Sequence, residues 1–142
     1  MKFWDSSAVI ALCVDEPTSA AIRSVLRDDP SLVAWWSTRT ECLSGLLRRS
    51  REGSISGRGL ADARAALAAL ADSWVEVQPS ESVRNGAERL LAAHALRAAD
   101  ALQLAAALVW CGGQARGAEL VSFDGRLREA ALREGFGVLP VR

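Results

Sequence analysis

Short apolar runs alternate along this chain with longer segments of helical hydrophobic periodicity, and that alternation confines the fold to the α/β class with a parallel sheet. Five runs read as strands: Lys2 to Trp4, Leu32 to Trp36, Val75 to Val77, Leu120 to Phe123 and Gly137 to Leu139. Seven helical segments lie between them, near residues 6 to 14, 18 to 28, 38 to 52, 59 to 72, 80 to 95, 98 to 111 and 125 to 134. Punctuation supports these limits. Pro17, Pro30 and Pro79 sit at boundaries, Gly112-Gly113 closes the long alanine-rich helix, and Gly53 to Gly59 forms a glycine- and serine-rich corner. No repeat or linker divides the chain, so residues 1–142 read as a single domain. A chain of this length buries roughly 70% of its unfolded surface and needs no covalent staple.

Three cysteines, Cys13, Cys42 and Cys111, are odd in number, far apart and set in apolar helical stretches. They support neither a disulfide framework nor a Cys-x-x-Cys zinc site, and they read as reduced, packed thiols. An acidic residue at position 5 and a short apolar run from Ala8 to Val14 argue against a secretory or membrane segment, which points to a cytoplasmic protein. Seventeen basic and seventeen acidic residues cancel. That balance excludes a protein whose whole surface coats nucleic acid. The basic residues are nearly all arginine, however, and Arg48, Arg49, Arg51 and Arg58 cluster. The cluster fits either a solvated helix end or contacts to an RNA backbone.

Four carboxylates stand where such a sheet would gather them. Asp5 ends the first strand, Glu41 falls in the first turn of the helix after the second, Asp100 opens the helix leading to the fourth, and Asp124 ends the fourth. With strand order 3-2-1-4-5 the first and fourth strands are neighbours, and ligands bind beyond the carboxyl ends of strands at that switch point. Each acid also fits a purely structural role. Asp5 before Ser6-Ser7-Ala8 makes an N-cap, Thr38-Arg39-Thr40-Glu41 fits a capping box, Asp100 complements a helix dipole, and Asp124-Gly125 makes a turn. Their placement at one end of one sheet distinguishes them from four independent caps. Two carboxylates about 5 Å apart repel by roughly 3 kcal/mol at an effective dielectric near 20. Four acids therefore need raised pKa values or cations, and oxygen-only ligands favour Mg²⁺ or Mn²⁺ over zinc. A lone histidine, His94, cannot supply both acid and base for a metal-free ribonuclease, and it reads as a packed residue.

These residues resemble the PIN domain, and within it the VapC-like ribonuclease toxins of prokaryotic toxin–antitoxin pairs. Phe3-Trp4-Asp5-Ser6-Ser7-Ala8 is similar to the family's opening strand and turn, and Arg39-Thr40-Glu41 to its second motif. Leu96-Arg97-Ala98-Ala99-Asp100-Ala101-Leu102-Gln103-Leu104 is similar to its third, the most specific stretch, and Val121-Ser122-Phe123-Asp124 to its fourth. The bulky Trp4 and Trp35-Trp36 depart from the pattern around these motifs without touching the acids.

The resemblance implies a PIN-like fold and a Mg²⁺- or Mn²⁺-dependent endoribonuclease. Asp5 and Asp100 would bind the metal directly, Asp124 would complete the shell directly or through water, and Glu41 would hold a metal-bound water or a second ion. Ser7 and Ser122 are candidates to orient the carboxylates without touching the metal, although both also fit core or cap positions. Metal-activated water would attack an RNA phosphodiester in line, leaving a 5′-phosphate and a 3′-hydroxyl. Family members of this kind are homodimers held by an antitoxin protein. The faces of residues 42 to 70 are the candidate antitoxin surface.

The alternative is a non-catalytic PIN-like module that binds RNA or protein. Other classes fit less well. A phosphorelay receiver needs a lysine near the last strand, whereas the chain's only lysine is Lys2. A haloacid-dehalogenase-like phosphatase needs a second Asp where Ser7 stands, and Gly53, Gly57 and Gly59 have the wrong spacing for a dinucleotide site.

Overall fold

Residues 1–142 are described by a computed structural model. Strands β1 (Lys2–Trp4), β2 (Leu32–Trp35), β3 (Val75–Val77), β4 (Glu119–Val121) and β5 (Gly137–Leu139) form one sheet in the order β3-β2-β1-β4-β5. Every neighbouring pair is parallel. Helices α1 (Ser6–Cys13), α2 (Ser19–Asp28), α3 (Thr38–Arg51), α4 (Gly57–Ser73), α5 (Glu81–Ala93), α6 (Ala98–Trp110) and α7 (Gly125–Glu134) connect the strands. The expected class and strand order are the observed ones.

Two-residue periodicity divides the central strands between two cores. Trp4, Leu32, Ala34 and Val121 point into a core with Ala8, Cys42 and Leu46, whereas Phe3, Val33, Trp35 and Leu120 join Leu90, Leu104 and Leu127 on the opposite face. Helices cover both faces of the sheet, so β1 and β2 are buried throughout and carry no polar alternation. Each fully buried large apolar side chain contributes about 1.5–3 kcal/mol of transfer free energy. The three tryptophans nearest the motifs settle into three environments. Trp4 is sealed in one core, Trp35 is buried in the other, and Trp36 is 54% exposed just past β2.

The differences from the sequence reading lie at boundaries. β2 ends at Trp35, although the Trp36 N–H still donates to the Val77 carbonyl at 3.0 Å. β4 runs from Glu119 to Val121, so Asp124 does not end the strand but caps α7, its Oδ1 accepting from the Leu127 N–H at 2.8 Å. α4 begins at Gly57, because Ser56 Oγ caps it by accepting from the Gly59 N–H at 3.0 Å. Gly112 and Gly113 adopt positive φ of 64° and 80°, which ends α6 where the paired glycines predict. All three cysteines are free, but only Cys42 is fully buried, and Cys111 follows α6 as its cap residue. No helix is long and apolar enough to cross a membrane.

Candidate active site

Asp5 follows the end of β1 into the N-cap position of α1 and is only 3% exposed. Its Oδ1 accepts from Ser7 Oγ at 2.7 Å and from the Ala8 N–H at 3.2 Å, and its Oδ2 accepts from Ser122 Oγ at 2.9 Å. The two hydroxyls tie it to the β4–α7 turn, because Ser7 Oγ accepts from the Phe123 N–H at 2.9 Å and Ser122 Oγ from the Asp124 N–H at 3.0 Å. Burial pushes the Asp5 carboxyl up to about 6, against the pull of its three donors, and the Asp124 charge adds to the rise. A carboxylate offers about four acceptor positions. Three are filled, and one remains.

Asp124 follows in the β4–α7 turn, its backbone joined to Asp5 through the single Ser122 hydroxyl. Asp100 stands in the first turn of α6. A cavity of about 420 Å³ is lined by Arg97, Ala99, Asp100, Asp124, Gly125 and Arg126. Burial raises the Asp100 pKa and Asp124 raises it further, while the Arg97 backbone and the charges of Arg97 and Arg126 pull it down.

Glu41 lies in the first turn of α3, half-buried. The capping box does not form. Ser37, not Thr38, occupies the cap position, and it makes no side-chain cap bond. Glu41 Oε2 instead accepts from Gln103 Nε2 at 2.7 Å and from Ser37 Oγ at 3.3 Å. Gln103 also donates to Thr38 Oγ1 at 3.1 Å, which pins α6 to α3. Burial raises the Glu41 pKa, and Asp100 contributes to the rise.

The four acids thus form a chain of electrostatic pairs, Asp5 with Asp124, Asp124 with Asp100, and Asp100 with Glu41. No three acidic, histidine or cysteine side chains stand as a preformed ligand cluster. His94 makes no contact with these acids and is packed with Nε2 2.7 Å from Glu134 Oε1, as expected of a structural residue.

Gln103 and Arg97, which carry no role of their own within the third motif, and Arg126 and Arg128 join the site only in three dimensions. Gln103 is a lone polar residue in the apolar run Leu102-Gln103-Leu104 and is 2% exposed, so its place in a buried stripe was a readable signal. Arg128 donates to the Ser122, Leu139 and Pro140 carbonyls at 2.7, 3.1 and 2.8 Å, which clamps the backbone that presents Ser122 to Asp5. Nothing local in the sequence marks it.

The fold is an α/β one with an all-parallel sheet, and buried Asp5 stands at its switch point, coupled to Asp124. The chain belongs to the PIN domain family, whose profile matches residues 2–132. No curated protein sequence matches it significantly. Among solved structures it is similar to VapC20 of Mycobacterium tuberculosis, described as a sarcin–ricin loop cleaving toxin, with 20% identity, a TM-score of 0.69, and 92% of this chain and 95% of that one covered. FitAcB of Neisseria gonorrhoeae matches at 14% identity and TM-score 0.68 over 99% and 97% of the two chains. A toxin–antitoxin complex from Klebsiella pneumoniae matches at 18% identity and TM-score 0.61 over 87% of each. At these identities the likeness speaks for the fold.

Proposed function

We propose that this chain is a Mg²⁺- or Mn²⁺-dependent endoribonuclease and the toxin of a toxin–antitoxin pair. The observation that supports it most is Asp5, a carboxylate buried at the switch point of a PIN fold, fixed by two hydroxyls, with one acceptor position unfilled and its charge coupled to that of Asp124. The donor set fits a hard cation. Only oxygen ligands are offered, and burial raises the pKa of Asp5, Asp100 and Glu41, so a cation would restore the ionised form that desolvation opposes.

Asp5, Asp100 and Asp124 would hold that cation, which when bound supplies an activated water for in-line attack on an RNA phosphodiester and offsets charge on the leaving oxygen. Ser7 and Ser122 fix the Asp5 rotamer through hydrogen bonds of 2.7 and 2.9 Å, so the ligand does not reorganise as substrate enters. Gln103 holds Glu41 in one orientation from which it can order a water. Arg97 and Arg126 line the crevice, where their planar forks suit a phosphate bound beside the acids. The reading also includes a homodimer and an antitoxin protein. The groove between α3 and α4, lined by Arg39, Leu43, Arg64, Ala65, Leu67 and Ala68, is the proposed antitoxin surface. Arg49 is already paired with Glu16 at 3.1 Å, so it does not serve that surface as a free cation.

Single-turnover cleavage of structured RNAs with Mn²⁺ tests the reading. Wild type is expected to cleave, and chelator, Asp5→Asn and Asp100→Asn are each expected to abolish cleavage. Cleavage that survives the chelator refutes the metal mechanism, and full activity in Asp100→Asn refutes the site.

A further inference from the structure

A second concavity lies on the same carboxyl edge of the sheet, and the acidic crevice does not use it. Its volume is about 410 Å³, within the range of about 300–1,000 Å³ common for small-ligand sites. Trp35, Trp36, Pro79, Val83 and Leu102 supply apolar walls, and Glu81 and Arg84 are also part of the lining. Trp36 is 54% exposed although it directly follows a fully buried strand. Its backbone remains fixed by the bond to Val77, so the indole is displayed from a rigid strand end rather than from a loose loop.

This concavity adjoins the Glu41 end of the acid chain. Trp36 is followed by Ser37, and Leu102 by Gln103, and Ser37 and Gln103 are the two donors that hold Glu41. Two of its walls thus continue into the residues that position Glu41, and the start of α5 supplies the third.

We propose that this concavity binds one unpaired nucleobase of the RNA substrate, stacked on the Trp36 indole, beside the phosphate that is cleaved. The inference rests on the ribonuclease reading above and names where its substrate is gripped. Charge selects a base rather than a phosphate as the occupant. The Glu81–Arg84 pair leaves no net positive charge in the lining to hold a phosphate, whereas the aromatic and aliphatic walls match the uncharged faces of a base. Arg84 pairs with Glu81 at 2.6 Å with both side chains about 70% exposed, so a flanking phosphate can compete for its guanidinium. An indole accepts any base by stacking, so this contact favours unstacked, single-stranded nucleotides over a paired helix.

The test is equilibrium binding of labelled single-stranded RNA to metal-free protein, where no metal-dependent cleavage intervenes, for wild type, Trp36→Phe and Trp36→Ala. Thermal melts confirm that each variant folds. Trp36→Ala is expected to weaken binding about 5- to 100-fold and Trp36→Phe much less, as the loss of one base–aromatic stack requires. An abasic nucleotide walked along the RNA is expected to reproduce the loss at one position in wild type and to add nothing in Trp36→Ala. Equal affinity of wild type and Trp36→Ala overturns the proposal and leaves the concavity to a protein partner; so does an abasic series without a sensitive position. Cleavage assays separate the two readings. Mn²⁺-dependent cleavage with unchanged RNA affinity in Trp36→Ala sinks the base pocket alone. Trp36-dependent binding without any cleavage sinks the ribonuclease reading and keeps the pocket.

Discussion

Asp5→Asn removes a charge that the metal-free fold holds at a cost, and the size of that cost follows from the site. The Asp5 carboxyl is pushed from an ordinary 3.8 to about 6, chiefly by burial. The folded chain therefore binds this proton more tightly than the unfolded chain. The Asp5 contribution to stability is greatest below about pH 4, declines as pH rises from 3.8 to 6, and is flat above. A shift of about two units corresponds to roughly 3 kcal/mol of destabilisation at neutral pH. Asparagine avoids that cost but replaces one acceptor oxygen with a donor, which forfeits about 1 kcal/mol of hydrogen bonding at Ser122 or Ser7. The net is a gain of roughly 2 kcal/mol, or about 4–8 °C in Tm for a domain of this size. Thermal melts in chelator at pH 7.5 are expected to show the variant more stable than wild type. At pH 4.5, where wild-type Asp5 is protonated in the fold, the advantage shrinks towards zero. Mn²⁺ is expected to raise the wild-type Tm and to leave the variant nearly unmoved. A variant less stable than wild type at pH 7.5 in chelator refutes the claim that burial penalises this charge.

Three further perturbations address the parts that hold the acids. Ser122→Ala deletes the hydroxyl shared by Asp5 and the Asp124 N–H, and urea unfolding is expected to report a loss of about 1–3 kcal/mol, with Mn²⁺ affinity lowered in parallel. Gln103→Leu leaves Glu41 and Thr38 without their common partner; it should cost about 1–2 kcal/mol in the same assay and lower the single-turnover rate more than the RNA affinity. Arg128→Met keeps much of the apolar stem but leaves the Ser122 and Pro140 carbonyls without a donor, while Leu139 keeps the Ser122 N–H, and a loss of about 2 kcal/mol is expected, with the residues after β5 becoming more sensitive to proteolysis.

The sheet was legible because burial on both faces leaves the strands without polar alternation. Phe3-Trp4 and Val33-Ala34-Trp35 read as strands for that reason, and the crossover helices then force parallel pairing. Boundaries were less legible where a side chain decides them. Ser56 captures Gly59 and starts α4 two residues before the expected point, and Asp124 belongs to a helix cap rather than to a strand end. The capping-box alternative for Glu41 failed for a different reason. A capping box assumes that the nearest backbone N–H is the best partner, but Gln103, 62 residues away, reaches Glu41 at 2.7 Å in a half-buried site. There an unmatched amide would cost about 1–3 kcal/mol, so the distant contact prevails over the local one. Such a partner is fixed only when α3 and α6 pack, and no spacing along the chain encodes it.

The acids themselves expose an assumption in the choice between helix cap and ligand. Asp5 and Asp124 both cap helices, with bonds to Ala8 and Leu127, and both also belong to the linked carboxylate chain of the crevice. A carboxylate has enough acceptor positions for both duties, because the cap engages one oxygen from one side. Capping is also what aims the group. The strand end places Asp5 at the switch point, the first turn of α1 fixes its rotamer through the Ala8 N–H, and the Ser122 hydroxyl sets its second oxygen. Without the cap, the side chain would be free to turn towards solvent and shed the desolvation that raises its pKa. The cap and the candidate ligand site are therefore one construction. A Ser at position 5 would preserve the first function while deleting the second, which is why cap propensity alone does not account for an acid there.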